Sequence, residues 1–138
     1  MREILFRGKI TQDEWVYGFY ENVKLEETTI HYVNGKIVSS ETVGQYTGLK
    51  DKNGKKIFEG DIIRYCGRIG IIVFAELHGS FMSMEDKIYY EWLSNIPHFG
   101  TYGTEVIGNI YDNPELMGGR GGGSAAGETN KNKRGAIR

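Results

Sequence analysis

Apolar and polar residues alternate with a period of two in several short runs, which is the pattern of strands with one buried face. Residues 4–6 and 15–19 alternate in this way, and the polar residues 11–14 separate the two runs. An alternating pair of this kind around a short polar segment predicts an antiparallel hairpin.

Two further hairpins are predicted from turn residues. Asn34-Gly35, a strong two-residue turn signal, separates the apolar residues 30–33 from residues 36–38. Residues 66–68 join the apolar runs 62–65 and 70–74 in the same manner. A short strand at residues 43–46 and a last strand at residues 105–111, which stops before Asn113-Pro114, complete the predicted β elements.

Residues 83–93 have a different pattern. Ser83 and Asp86 have the spacing of a capping box, and Ile88 and Trp92 have the four-residue spacing of one helix face. This spacing predicts a short helix, although the aromatic content of the segment suits a strand as well.

Composition favours a β fold. The 138 residues include two Trp, nine Tyr and six Phe, all before position 117, and only two Pro. Aromatic and β-branched residues fit pleated, half-buried surfaces, and this length is typical of one domain. We expect a mainly β protein, in which a small, strongly bent antiparallel sheet closes into an SH3-like or related barrel with one short helix.

Charge and glycine content divide the chain into two parts. Residues 1–117 carry 12 Lys and Arg against 17 Asp and Glu, a net charge of −5, whereas residues 118–138 carry 5 against 1, a net charge of +4. The second part has seven glycines and no aromatic residue, so it has no apolar surface to bury. We therefore predict a β domain at residues 1–117 and a disordered, glycine-rich basic tail at residues 118–138.

The single cysteine, Cys66, and the absence of a long apolar run suit a reducing compartment without a membrane span. The opening residues lack the apolar core of a secretion signal. A cytoplasmic protein is the expectation, with no membrane partner.

Three segments of the chain resemble the signature of the YopX family of phage and prophage proteins. They are the opening REILFRGK and EWVYGFY, the central TGLKDKNGKKIFEGDII at residues 47–63, and the closing EVIGNIYDNPEL at residues 105–116. The resemblance covers roughly residues 1–117 and implies a protein of the bacterial host cytoplasm whose activity is unassigned. The motif positions that it marks as structural are Gly48, Asp51, Gly54, Gly60, Asp61, Gly108, Asn109, Asn113 and Pro114.

Neither a metal nor a cofactor site is expected. The potential ligands His31, Cys66, His78 and His98 are scattered, and no two of them have the spacing of a ligand pair.

The sequence also predicts no catalytic residue. Cys66 and Ser80 each neighbour a glycine but lie outside any recognised nucleophile motif. Glu59 and Asp61, two positions apart, have the spacing for general acid–base chemistry on one strand face. The favoured interpretation is a turn at Glu59-Gly60-Asp61, in which Asp61 accepts backbone hydrogen bonds.

Four lysines, Lys50, Lys52, Lys55 and Lys56, surround the Asn53-Gly54 turn. A barrel with a basic loop and exposed aromatic rings is suited to single-stranded nucleic acid. Acidic residues are interleaved with these lysines, however, and the domain is acidic overall, so nucleic-acid binding is the alternative hypothesis and not the favoured one.

Protein interaction is favoured because the chain has more tyrosines than a small core can bury, and Tyr and Trp are common interface anchors. The main hypothesis is a phage or prophage accessory protein that binds without catalysis: a host protein, its own copies as a homo-oligomer, or a small ligand. A nucleic-acid-binding module and an enzyme of unrecognised type are the alternatives. The candidate interaction residues are Tyr17, Tyr46, Tyr89, Tyr90 and Trp92.

Overall fold

The computed structural model describes residues 3–65, 67–77, 79–85, 88–92 and 103–118, and in residues 88–92 it describes the backbone alone. Antiparallel strands account for most of the described chain, together with a 3-10 helix at Ser40–Thr42 and a short helix, α1, at Glu115–Gly118. The strands in chain order are β1 Phe6–Thr11, β2 Glu14–Gly18, β3 Tyr20–Lys24, β4 Thr29–Val33, β5 Lys36–Val38, β6 Gly44–Lys50, β7 Lys56–Phe58, β8 Asp61–Tyr65, β9 Arg68–Ala75, β10 Ser80–Glu85, β11 Ile88–Trp92 and β12 Glu105–Asn109.

These strands form three antiparallel groups. Their orders are β2-β1-β6-β7, β11-β10-β9-β8-β12 and β3-β4-β5. The sheets curl into a half-barrel, so the expected class, a mainly β fold built from a strongly bent antiparallel sheet with one short helix, is confirmed.

All three predicted hairpins are present. β1 pairs with β2, and β8 pairs with β9. The turn between β4 and β5 contains Asn34 with φ 54° and Gly35 with φ 78°. Two successive positive φ values are the requirement of a type I′ turn, which explains why Asn-Gly occupies it.

The predicted helix at residues 83–93 is wrong. Residues 80–85 form β10 and residues 88–92 form β11, and the two strands pair with each other as a hairpin. Ser83, expected to cap a helix, is fully buried opposite Ile72 of β9. Pairing with the long central strand therefore determines this segment, and the described helix lies instead after Pro114.

The core lies where the four- and five-stranded groups face each other. Its buried cluster is Ile57, Ile63, Tyr65 and Ile72, with Leu49, Phe81 and Val106 packed against it. The three-stranded group packs on β1 instead. There, a Cβ added to Gly8 would lie 3.0 Å from the side chain of Val38, so glycine allows this close approach.

Several sequence predictions concern positions outside the described residues. Cys66, His78, His98 and the predicted disordered tail after residue 118 are among them. Among the described residues, neither of the short helices could span a lipid bilayer.

Candidate functional site

An ion pair lies at the junction of the opening and central motifs. The Nη2 of Arg7, in β1, is 2.9 Å from the Oδ1 of Asp61, which begins β8, and the two side chains are only 6% and 2% exposed. The Oδ2 of Asp61 accepts a 2.8 Å hydrogen bond from the backbone N–H of Phe58, and Arg7 also donates to the carbonyl of Glu59. Asp61 therefore closes the turn after β7 and fixes it to β1.

Burial shifts the pKa values of the two carboxyl groups in this turn, those of Asp61 and Glu59. Desolvation raises the pKa of Asp61, and the positive charge of Arg7 and the hydrogen bond from Phe58 oppose that shift. Burial likewise raises the pKa of Glu59. Because protein donors engage both carboxylate oxygens of Asp61, the geometry matches the turn role predicted for it.

Gly60 connects the central motif to the closing one. Its φ is 95°, a left-handed value that favours glycine. Its N–H donates to the carbonyl of Ile72, and its carbonyl accepts from the N–H of Ile110. A Cβ at this position would lie 3.1 Å from the ring of Tyr111, a tight contact, so the positive φ and the limited space both favour glycine.

Aromatic rings enclose the Arg7 guanidinium. Its central carbon is 4.5 Å from the ring centre of Trp15 and 4.9 Å from that of Phe58. The hairpin register explains this arrangement, because Arg7 pairs with Tyr17 and Lys9 with Trp15, which places these four side chains on one face. Cation–π contact stabilises an arginine that is almost wholly removed from water.

Asp112 of the closing motif forms a second ion pair with the opening hairpin. Its Oδ1 pairs with the Nζ of Lys9, and its Oδ2 accepts from the indole N–H of Trp15 at 2.9 Å and from Asn109 at 3.1 Å. Burial alone would raise the pKa of Asp112, but these hydrogen bonds and the charge of Lys9 lower it to about 2.

This lowered pKa makes a prediction about acid stability. A carboxyl group whose pKa is lower in the folded state stabilises the fold above its unfolded pKa of about 4, and this contribution is lost as the pH falls. We expect Asp112→Asn to unfold at lower urea concentration than the wild type at pH 7. The difference should shrink between pH 4 and pH 2.5, as measured by urea denaturation at each pH. A constant difference over this range would contradict the Asp112 assignment.

The other residues of the closing motif build a compact turn. The side-chain oxygen of Asn109 accepts from the N–H groups of Tyr111 and Asp112, and that of Asn113 accepts from the N–H of Asn109. A Cβ on Gly108 would lie 2.6 Å from the Asn113 oxygen. Pro114 follows and leads into α1.

Asp51 organises the basic loop of the central motif. Its Oδ1 accepts from the N–H groups of Asn53 and Lys55, and its Oδ2 accepts from the N–H of Val106 in β12. Burial opposes ionisation, yet these hydrogen bonds and the charge of Lys55 lower the pKa of Asp51 below its ordinary value. The motif glycines beside this loop, Gly48 and Gly54, have φ values of 91° and 84°.

A cleft of ≈ 380 Å³ opens beside the Arg7–Asp61 pair. Three cationic and three apolar or aromatic side chains line this cleft, which we call the Arg7 cleft: Leu5, Arg7, Tyr17, Lys55, Lys56 and Phe58. Of its lysines, Lys56 is 3.7 Å from the carboxylate of Glu3, and its ammonium lies over the ring of Tyr46 at 5.7 Å.

The candidate interaction residues differ in their exposure to solvent. Tyr17 is 47% exposed and lines the Arg7 cleft. Tyr46 is only 6% exposed and packs on Phe58, which corrects the prediction that it serves as a surface anchor. The remaining candidates lie in β11, where side chains are outside the described part: Tyr89, Tyr90 and Trp92.

Sequence reasoning did not single out Arg7, Lys9, Trp15 or Asp112 as parts of a site. One feature of the sequence could have indicated the site: Arg7 and Lys9 lie in a predicted strand, opposite two aromatic residues of the same predicted hairpin. Their acidic partners are 54 and 103 positions away in the chain, and no local pattern identifies them.

Of the four scattered metal-ligand candidates, the structure describes His31. Its Nδ1 is 2.6 Å from the hydroxyl of Tyr20. Among the described residues, no group of three or more His, Cys, Asp or Glu side chains is close enough together to hold a metal ion.

The chain is similar to a known protein family and to a solved structure. The family model described as YopX protein matches residues 5–118, a range that includes the central and closing motif segments and all of the opening one except residues 2–4. The crystal structure of protein EF1440 from Enterococcus faecalis is similar, with 26% identity and a TM-score of 0.54 over 85% of this chain and 99% of that one. No curated protein matches the sequence. On the family match, this chain belongs to the YopX protein family.

Proposed function

We propose that this protein is a phage or prophage accessory protein of the host cytoplasm that works by binding without catalysis, and that its first partner is a second copy of itself. The observation that carries the proposal is an exposed apolar surface on the β3-β4-β5 group.

The register of the three strands defines that surface. Glu21, Tyr32 and Ile37 are paired across the strands, and Val23 pairs with Ile30, so these side chains share one face. The opposite face carries the buried residues Val33 and Val38 and packs on β1, which leaves the first face outward.

The outward face is unusually apolar for a solvent-exposed sheet. Val23 is 45% exposed and Ile37 is 59% exposed, and Phe19 and Leu25, which flank β3, are 79% and 52% exposed. We call this surface the outer apolar face; its residues are Phe19, Val23, Leu25, Ile30, Tyr32 and Ile37. Contiguous apolar patches of this kind mark interaction sites more often than ordinary surface.

A second copy is the occupant that fits best. Glu21 is the one charged residue among the strand residues of this face, so two copies related by a two-fold axis can bury apolar side chains with little charge repulsion. Two sheets packed face to face form a core about 10 Å thick, as in a β-sandwich. β3 is also an edge strand in the described part of the chain, and association protects such an edge.

We expect the full chain to have a mass above that of the monomer in size-exclusion chromatography with light scattering. The double variant Val23→Glu/Ile37→Glu should be monomeric, because it places two buried charges in the proposed interface. Both side chains are exposed in the single copy, so the variant should retain the wild-type circular dichroism spectrum.

The matched control is Leu77→Glu, which adds a charge at a side chain that is 94% exposed but lies in the turn between β9 and β10. This variant should associate as the wild type does. A monomeric wild type, or a double variant with unchanged mass, would refute the proposed self-association, and a monomeric wild type would favour a host protein as the partner.

A further inference from the structure

The Arg7 cleft combines positive charge with apolar walls. Arg7, Lys55 and Lys56 contribute three cations, and no carboxylate is among its lining residues. Arg7 is already paired with Asp61, so the positive charge open to a ligand comes from the two lysines. Lys55 is exposed, and Lys56 is partly exposed with Glu3 as its ion-pair partner.

The apolar part of the cleft consists of Leu5, Tyr17 and Phe58. The ring of Tyr17 meets that of Phe58 edge to face, with centres 5.5 Å apart. Phe58 is only 4% exposed and also packs on Tyr46, so it holds the Tyr17 ring in place. An exposed ring fixed in this way offers a face on which a planar group can stack.

The size of the cleft limits the ligand. Pockets that bind small molecules typically have volumes of roughly 300–1,000 Å³, and this one, at ≈ 380 Å³, lies near the lower end. A single mononucleotide or aryl acid is of a suitable size, whereas a longer nucleic acid would also have to cross an acidic domain surface.

From these features we propose that the Arg7 cleft binds a small organic anion with a planar ring. The ring stacks on Tyr17 beside Leu5 and Phe58, and the phosphate or carboxylate pairs with Lys55 and Lys56. The inference goes beyond the proposed function because the cleft and the outer apolar face consist of different residues. Anion binding and self-association can therefore be refuted independently of each other.

A substitution at Glu3 tests the proposal by an expected increase in anion binding, whereas the other variants test it by a decrease. Its carboxylate is 3.7 Å from the Lys56 ammonium and would compete with an anionic ligand for it. The Glu3 side chain is 56% exposed, so Glu3→Gln should not disturb the fold. Removing the competing charge should tighten the binding of an anion.

The test is isothermal titration calorimetry of the full chain with adenosine monophosphate and with benzoate, two anions that share a planar ring. Adenosine, which lacks the anionic group, and inorganic phosphate, which lacks the ring, are the comparison ligands. We expect binding of at least one ring-bearing anion, and at least tenfold weaker binding of both comparison ligands, because each lacks one of the two interactions.

Three variants locate that binding. Lys55→Gln/Lys56→Gln should weaken anion binding about tenfold, as expected when charge-assisted hydrogen bonds are lost. Tyr17→Leu should weaken it while keeping apolar bulk, and Glu3→Gln should strengthen it. Lys24→Gln/Lys36→Gln removes the same charge from exposed positions in β3 and β5 that do not line the cleft, so it should bind the anion as the wild type does.

Four results would overturn the proposal. They are no binding of either ring-bearing anion at millimolar concentration, equal loss of binding in the two lysine double variants, weaker binding by Glu3→Gln, and tighter binding of a twelve-residue oligothymidine than of either small anion. The last result would establish the nucleic-acid alternative in its place.

Discussion

Asp61→Ala is expected to lower the free energy of unfolding by about 3–5 kcal/mol, which is typical when one partner of a buried ion pair is removed. The substitution leaves the Arg7 guanidinium buried without its carboxylate, and it leaves the N–H of Phe58 without its acceptor. Urea denaturation at pH 7, followed by circular dichroism, measures the loss.

A double variant separates the two causes of that loss. Arg7→Met/Asp61→Ala removes the unpaired charge and keeps a long apolar side chain between Trp15 and Phe58. It should be more stable than Asp61→Ala alone, because replacing both members of a buried pair costs far less than removing one. If Asp61→Ala unfolds at the wild-type urea concentration, the ion pair does not hold the motifs together, and a role for Asp61 in chemistry becomes the better explanation.

Local signals were sufficient for much of the fold. The Asn34-Gly35 turn and the alternation around residues 11–14 predict two hairpins that the structure contains, because turn geometry and a two-residue period are properties of short segments. The helix predicted at residues 83–93 is wrong because pairing determines these strands: Ser83 and Met84 pair with residues of β9 that lie 11 and 13 positions earlier, and β11 pairs with β10.

The candidate site was predictable only in part. The sequence identified Asp61 as an acceptor of backbone hydrogen bonds and Asp51 only as a structural position of the motif, and in the structure each accepts such bonds. The pairing of Arg7 with Asp61 is between residues 54 positions apart, and it depends on how β1 meets the turn after β7. Composition alone indicated too many tyrosines for the core, but it could not say that Tyr46 would be buried and Tyr17 exposed.

The second large effect is expected at Asp51. Asp51→Ala should lower the free energy of unfolding by about 3 kcal/mol, since a buried donor left without an acceptor costs roughly 1–3 kcal/mol. The substitution removes the acceptor of three backbone N–H groups at once, those of Asn53, Lys55 and Val106. Asp51 is only 3% exposed. Urea denaturation at pH 7 gives the size of the effect.

Asp51→Asn separates two roles of the Asp51 carboxylate, which are to hold the basic loop together and to attach that loop to β12. Asparagine keeps one oxygen, which can still accept from Asn53 and Lys55, but its amide nitrogen would face the N–H of Val106, and two donors cannot bond to each other. We expect Asp51→Asn to be less destabilised than Asp51→Ala, with faster amide hydrogen exchange at Val106 and little change at Lys55. Faster exchange at Lys55 alone would contradict this division of the two oxygens.

The pH dependence of the same variant tests the charge on Asp51. Hydrogen bonds from three N–H groups lower the pKa of Asp51 in the folded state, so its stabilising contribution is complete above the unfolded pKa of about 4 and is lost as the pH falls through the lower folded value. Asp51→Asn cannot titrate at this position. Its deficit in stability relative to the wild type should therefore be largest at neutral pH and should decrease below pH 4. A deficit that grows as the pH falls would mean that the protonated form of Asp51 is the one that the loop stabilises.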